Sequence, residues 1–162
     1  MKKWISYLLL IVFTMSASTC IAQSKAEKRE LIKAQIMRRV EARRFKINIT
    51  EIKASRQNSG AVDASLEIID SLCVSYLPYF GQIHGAILNS SEQGLSFEAP
   101  TEGYISSIIY DGTAKILFNV KRNQDEFVYY LVISPKGKAD LTVYEKSNRR
   151  SPASYSGEIE LP

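Results

Sequence analysis

The chain has 162 residues and a net charge of +4, with one histidine and two cysteines. Those counts exclude a multi-histidine zinc motif and a disulfide-stapled framework, while the length suits one domain with a sizeable core. The positive charge is unevenly placed, and its location says more about partner classes than its total.

Residues 1–22 read as an export signal. Lys2 and Lys3 form a basic start, Ile5 to Phe13 is an apolar run too short to span a bilayer as a mature helix, and Cys20-Ile21-Ala22 before Gln23 suits signal peptidase. Cleavage after Ala22 leaves residues 23–162 as a single domain in the periplasm or outside the cell. Cys20 offers a second route, lipoprotein processing directly before it, but Thr19 and Ala17 fit that site poorly. With Cys20 removed, Cys73 is the sole thiol. It sits in an apolar run as a small hydrophobe, without the cationic surroundings a reactive thiolate needs.

Ser24 to Arg44 predicts a helix: it is rich in Ala, Glu, Lys, Arg, Leu and Gln and has no Gly or Pro. Ser24 with Glu27 makes a capping box. Ile32, Ile36 and Val40, with Met37 beside them, form one apolar stripe for docking on a sheet. Residues 24–46 carry nine Lys or Arg against three Glu, whereas the rest of the processed chain carries ten against fourteen Asp or Glu. The basic face is either solvated or a contact for an anionic membrane surface through Lys33, Arg38, Arg39, Arg43 and Arg44. Export makes nucleic acid an unsuitable partner.

Beyond Phe45 the period changes to two. Phe45, Ile47 and Ile49 alternate with polar residues, and so do Val62, Ala64, Leu66 and Ile68, with a turn cluster at 56–60 between them. Asp70-Ser71 turns the chain. Asp70-Ser71-Leu72 also resembles a short acceptor pattern for O-glycosylation at Ser71.

The stretch Leu72 to Leu77 alternates as a buried strand and runs into Pro78-Tyr79-Phe80-Gly81. Pro78 should end ladder pairing, and Gly81 frees the backbone to turn. Tyr79 and Phe80 are adjacent and cannot both enter one core. They form either a packing corner or an aromatic lip on a binding surface. Residues 81–94 read as a long loop holding His84, the place for a site if there is one.

Leu95 to Ala99 reads as a short strand, Pro100 to Gly103 as a turn, and Tyr104 to Tyr110 as another extended segment. Asp111-Gly112 is a hairpin signal. Ile116, Phe118 and Val120 mark the next inner face, and a turn at Asn123 to Glu126 follows it. Phe127 to Ile133 is apolar on both faces, as in a central strand. After a turn at Pro135 to Gly137, Ala139, Leu141 and Val143 point inward. Asn148 to Pro152 is a polar turn, and Ala153 to Glu160 a last strand with Gly157 at a bulge. The hairpin spacing predicts a meander. The expected fold class is therefore α+β: an N-terminal amphipathic helix packed on a mainly antiparallel, strongly curved sheet, as a sandwich or open barrel.

Several runs coincide with one family. Tyr76-Leu77-Pro78-Tyr79-Phe80-Gly81, Gly94-Leu95-Ser96-Phe97, Ala139-Asp140-Leu141-Thr142-Val143 and Arg149-Arg150-Ser151-Pro152-Ala153-Ser154-Tyr155-Ser156-Gly157 resemble secreted Bacteroidetes proteins of the domain of unknown function numbered 4251. The resemblance implies a bacterial envelope protein of this size. It carries no activity to transfer.

The motifs of hydrolases, zinc proteases, redox pairs and nucleotide-binding loops do not occur, so no catalytic residue, metal or cofactor is expected. Tyrosines are numerous and suit a platform for sugars, peptides or a partner protein. The expected function is a non-enzymatic binding module for a partner protein, glycan or small apolar ligand. Tyr79 and Phe80 would supply contact area and His84 or Tyr76 a polar contact. A hydrolase assembled only in three dimensions and a structural envelope component are the alternatives.

Overall fold

The computed structural model describes residues 25–53, 63–78, 94–148 and 150–161. Among the described residues one helix, α1 (residues 25–41), precedes eight strands: β1 (Arg44–Ile52), β2 (Ala64–Ile69), β3 (Leu72–Leu77), β4 (Leu95–Ile108), β5 (Ala114–Arg122), β6 (Asp125–Ile133), β7 (Lys138–Glu145) and β8 (Ala153–Ile159). Each strand pairs antiparallel with the next in sequence, and β8 pairs back to β1. The ring is closed. This corrects the expected sandwich or open barrel with a helix lying on it. Closure removes every free strand edge, so β6 needs no covered position at the middle of a sheet to be apolar on both sides.

The period of two sorts the strands into inner and outer faces. Phe45, Ile47 and Ile49 of β1, Ala64, Leu66 and Ile68 of β2, and Cys73, Ser75 and Leu77 of β3 all point inward and are buried. Ile116, Phe118 and Val120 of β5, Phe127 to Ile133 at alternate positions of β6, and Ala139, Leu141 and Val143 of β7 complete the wall. Eight strands leave an interior just wide enough for side chains to fill or for one small ligand. Here large rings occupy it. Tyr104, Phe118 and Tyr129 stack in a column with centroids 6.0 and 5.0 Å apart, and Tyr155 is fully buried beside them.

The seam between β1 and β8 depends on Gly157. It is paired with Ile49, and the ladder skips Thr50 on β1, so the bulge expected on the last strand lies on its partner. A Cβ on Gly157 would collide with the carbonyl oxygen of Asn48.

Strand β4 corrects a second expectation. Pro100 to Gly103 is not a turn between two strands, because β4 runs unbroken for 14 residues. Residues 95–100 pair with β3 and 101–108 with β5. Pro100 sits at the changeover, where no β5 residue is registered with it, and Thr101 N–H resumes bonding to the Ser71 carbonyl at 2.7 Å. Gly103, at φ 61°, lies in a bulge that adds one residue between Glu102 and Ile105. The extra residue shifts the phase, bringing Tyr104 inward onto Phe118 and leaving Ile105 on the outer wall.

Helix α1 lies at the end of the barrel where β1 begins. Ile36 and Val40 are fully buried in the barrel core, with Ile32 half-buried against it. The helix ends at Arg43, whose left-handed φ of 53° is reinforced by its carbonyl accepting from Asp70 N–H at 2.8 Å. Tyr104 Oη donates to the Val40 carbonyl at 3.2 Å, and the Arg43 guanidinium sits 4.6 Å over the Tyr104 ring.

Candidate functional site

The end of the barrel opposite α1 holds the described parts of two of the four family-like runs noted in the sequence, residues 76–78 and 94–97. There β3 stops at Leu77 before Pro78, as proline requires, and β4 begins after Gly94. Tyr155 rises through the core from β8, and its hydroxyl donates to the Pro78 carbonyl at 2.7 Å. Arg122, at the end of β5, donates from Nη1 to the Gly94 carbonyl at 2.8 Å. Both stems of segment 79–93 are therefore tied to the barrel by side chains from distant strands. Below them Ser75 Oγ donates to the Leu95 carbonyl at 2.7 Å and accepts from Tyr129 Oη at 3.2 Å, so buried hydroxyls satisfy one another.

Two rings and two guanidinium groups build the floor of this mouth. Phe97 and Phe127 stack with centroids 5.9 Å apart. Arg122 lies 5.4 Å over Phe97, and Arg150 lies 5.8 Å over Phe127. Arg150 is 4 % exposed, a charge almost out of water. It is compensated by Asp125, with Nη2 to Oδ2 at 3.4 Å, and by Glu145, with Nε to Oε2 at 3.9 Å. Glu145 is itself 3 % exposed. Such a cluster links β6, β7 and the approach to β8, because a buried guanidinium is stable only where carboxylates face it.

The sequence-predicted residues fall unevenly around this mouth. Tyr76 stands on the outer face of β3, 56 % exposed, between Ser65 and Ser96 on the neighbouring strands. Tyr79, Phe80 and His84 lie outside the described residues, as do residues 1–22 with Cys20, the Ser24 cap, Val62 and the 56–60 turn cluster. Asn148 to Pro152 is more than a polar turn, since Arg150 within it is buried. Its inward role was readable only indirectly. The alternation Ala139, Leu141, Val143 continues to Glu145, and an inward carboxylate needs a cation.

The group chemistry here is that of holding. Burial pushes the Cys73 thiol up to about 12, so it stays protonated and inert. The Tyr104 hydroxyl is likewise pushed up to about 12 by burial, and that of Tyr129 well above its ordinary range. Among the described residues no group of three or more metal-ligating side chains comes together.

The basic helix residues are also divided. Arg44 makes a bidentate pair with Asp70, both bonds 2.9 Å. Arg43 is on Tyr104, and a Cβ on Gly112 would collide with the Lys33 side chain, so Lys33 is packed on the β4–β5 turn. Arg38 remains exposed. Arg39 is half-buried and lines a groove of about 380 Å³ with Phe45, Lys46, Glu67 and Ile69. Ser71, the glycosylation candidate, is exposed beside the Asp70 turn.

Comparison with known proteins places this architecture. The chain has no significant match among curated proteins. A crystal structure of a DUF4251 family protein from Bacteroides eggerthii DSM 20697 superposes with a TM-score of 0.61 at 10 % identity, covering 80 % of this chain and 87 % of that one. At that identity the likeness concerns the fold. The family model for the domain of unknown function DUF4251 matches residues 27–159, from α1 to the end of β8, and the chain belongs to that family.

Proposed function

We propose that this chain is an exported, non-enzymatic envelope protein that recognises a partner protein or a glycan at the barrel mouth around residues 76–94. The observation that carries the reading is the pair of clamps, Tyr155 on Pro78 and Arg122 on Gly94, set above an interior already filled by Phe118, Tyr129 and Tyr155. A filled barrel directs recognition to its rim, which sets aside a small apolar ligand held inside. Fixed stems lower the ordering cost of whatever binds between them. Tyr76, Tyr79 and Phe80 would supply ring area and His84 a hydrogen-bonding contact. Asp125 and Glu145 both face the buried Arg150, an arrangement that supports a structural role for this pair.

The test is native mass spectrometry of the protein purified from its own periplasm. A co-purifying mass lost on replacing Tyr76, Tyr79 and Phe80 with serine is the expected result. A mass retained by that variant, or turnover of any substrate abolished by one side-chain replacement, would refute the reading. The N-terminal mass of the same sample reports whether processing follows Ala22 or precedes Cys20.

A further inference from the structure

The groove beside α1 holds charges that the fold itself does not use. It lies on the outer wall where β1 and β2 meet the helix, with Arg39, Arg44, Lys46, Glu67, Ile69 and Glu160 around a volume of about 380 Å³. The strand register explains its walls. Arg44 stands across from Ile69 and Lys46 across from Glu67 on the antiparallel pair β1–β2. Arg39 follows the buried Ile36 by three positions and precedes the buried Val40, so it sits on the barrel side of α1. Phe45 and Ile68, both buried, close the floor, and Ile69, 41 % exposed, is the apolar side.

Most of these charges are paired. Arg44 is held by Asp70. Lys46 is turned away from Glu67, its Nζ lying 3.6 Å from Glu160, which also accepts from Asn48 Nδ2 at 3.3 Å. Two charges remain. Among the described residues, Arg39 and Glu67 make no ion pair or side-chain hydrogen bond, with each other or with any other group, although both are half-buried and line the same groove. That pattern selects an occupant by charge. A simple anion drawn to Arg39 would also face Glu67 and Glu160, and a simple cation drawn to Glu67 would face Arg39. A molecule with one positive and one negative end meets both demands. An apolar body between those ends would lie against Ile69 and the floor. A short peptide with free termini has all three parts, and the groove falls within the roughly 300–1,000 Å³ of ordinary ligand sites.

We propose that this groove is a binding site for a short zwitterionic peptide, with Arg39 donating to its α-carboxylate, Glu67 accepting from its α-ammonium, and Ile69 covering an aliphatic side chain. A guanidinium suits a carboxylate because its fork can donate two parallel hydrogen bonds. Arg44 and Lys46, held by their own carboxylates, form walls without competing for the ligand's ends. The groove shares no residue with the mouth, so the proposal stands whatever the mouth binds.

The experiment is titration of the isotopically labelled protein with leucyl-leucine, followed by backbone amide chemical shifts. N-acetyl-leucyl-leucine and leucyl-leucine amide are the comparison probes, each lacking one terminal charge. Leucyl-leucine should move the amides of residues 39–46 and 66–70 in a saturable way, and each capped form should bind about tenfold more weakly, the loss of one charge-assisted contact. Single variants then separate the two ends. In Arg39→Gln the peptide and its C-terminal amide should bind alike, and in Glu67→Gln the peptide and its N-acetyl form should bind alike. General damage to the groove would weaken all three probes together and would not produce that crossed pattern. Neither residue belongs to the core, and an unchanged thermal midpoint will establish that each variant is folded. The three probes on the parent protein test the proposal without any variant. No saturable shifts in the groove, shifts centred elsewhere, a capped peptide binding as tightly as the free one, or a preference for the free carboxylate that survives Arg39→Gln would each overturn it.

Discussion

Replacing Gly157 with alanine tests the seam that closes the barrel. The new methyl carbon would collide with the Asn48 carbonyl oxygen and lie 3.0 Å from both Asn48 C and Ile49 Cα. All three atoms are backbone, so no rotamer change relieves the contact, and β1 and β8 must move apart. Overpacking of this kind costs about 1–3 kcal/mol, and a backbone obstacle places it near 3. For a chain of this size that lowers the thermal midpoint by roughly 6–12 °C. The loss should be local. Hydrogen exchange should quicken in residues 47–52 and 153–159 while the β5–β6 ladder keeps its protection. Gly94→Ala is the control, because its new methyl carbon would meet nothing nearer than 3.8 Å and the backbone there is not left-handed. If Gly157→Ala and Gly94→Ala have the same midpoint, β8 does not approach β1 as described, and the closed ring is wrong.

Three further outcomes bear on the mouth and the core. Arg150→Ala should destabilise the protein by about 3–5 kcal/mol, because it removes the buried guanidinium that faces Glu145 and Asp125; urea unfolding of the Arg150→Met/Glu145→Leu double variant should recover much of that loss, and an equally damaged double variant would refute the pairing. Tyr155→Phe should cost about 1 kcal/mol through the lost bond to Pro78, with faster exchange confined to residues next to the 79–93 segment. Cys73 and Tyr104 have pKa values raised to about 12 in the folded chain against ordinary values of 9.0 and 10.0, so their contribution is complete below pH 9 and is lost as pH climbs toward 12. The urea midpoint should therefore decline from about pH 9 upward, Cys73→Ala should flatten the first part of that decline, and an identical alkaline profile in Cys73→Ala would contradict the burial of the thiol.

Much of the barrel was legible because alternation is a local property. The inward sets in β1, β2, β5, β6 and β7 follow from a period of two, and the apolar stripe of α1 from a period near four. Two features resisted. Closure depends on β8 meeting β1 across the whole chain, and nothing in either segment marks the other as its neighbour; a lone Gly157 in a strand signalled close approach without naming Asn48. In β4, Pro100 and Gly103 look like punctuation, yet the proline falls where the strand changes partners and the glycine where a bulge is needed, so neither ends the strand. At the mouth, Tyr155 and Pro78 were both conspicuous in sequence, but 77 residues separate them and only the fold brings hydroxyl to carbonyl. Arg150 looked like a turn residue because charge usually implies water. The carboxylates that keep it dry come from two other strands.

The pairing of the first strand with the last sets a schedule for assembly. A polypeptide delivered from its N-terminus can lay down seven hairpin-linked strands in succession, but β1 must wait for the final segment of the domain before its second ladder forms. During that interval the growing sheet has two sticky borders, and neighbouring chains could add to either. Trimming as little as β8 would make that vulnerable interval permanent, so the harm from such a deletion should surface as aggregation during synthesis more than as a lowered midpoint in whatever survives.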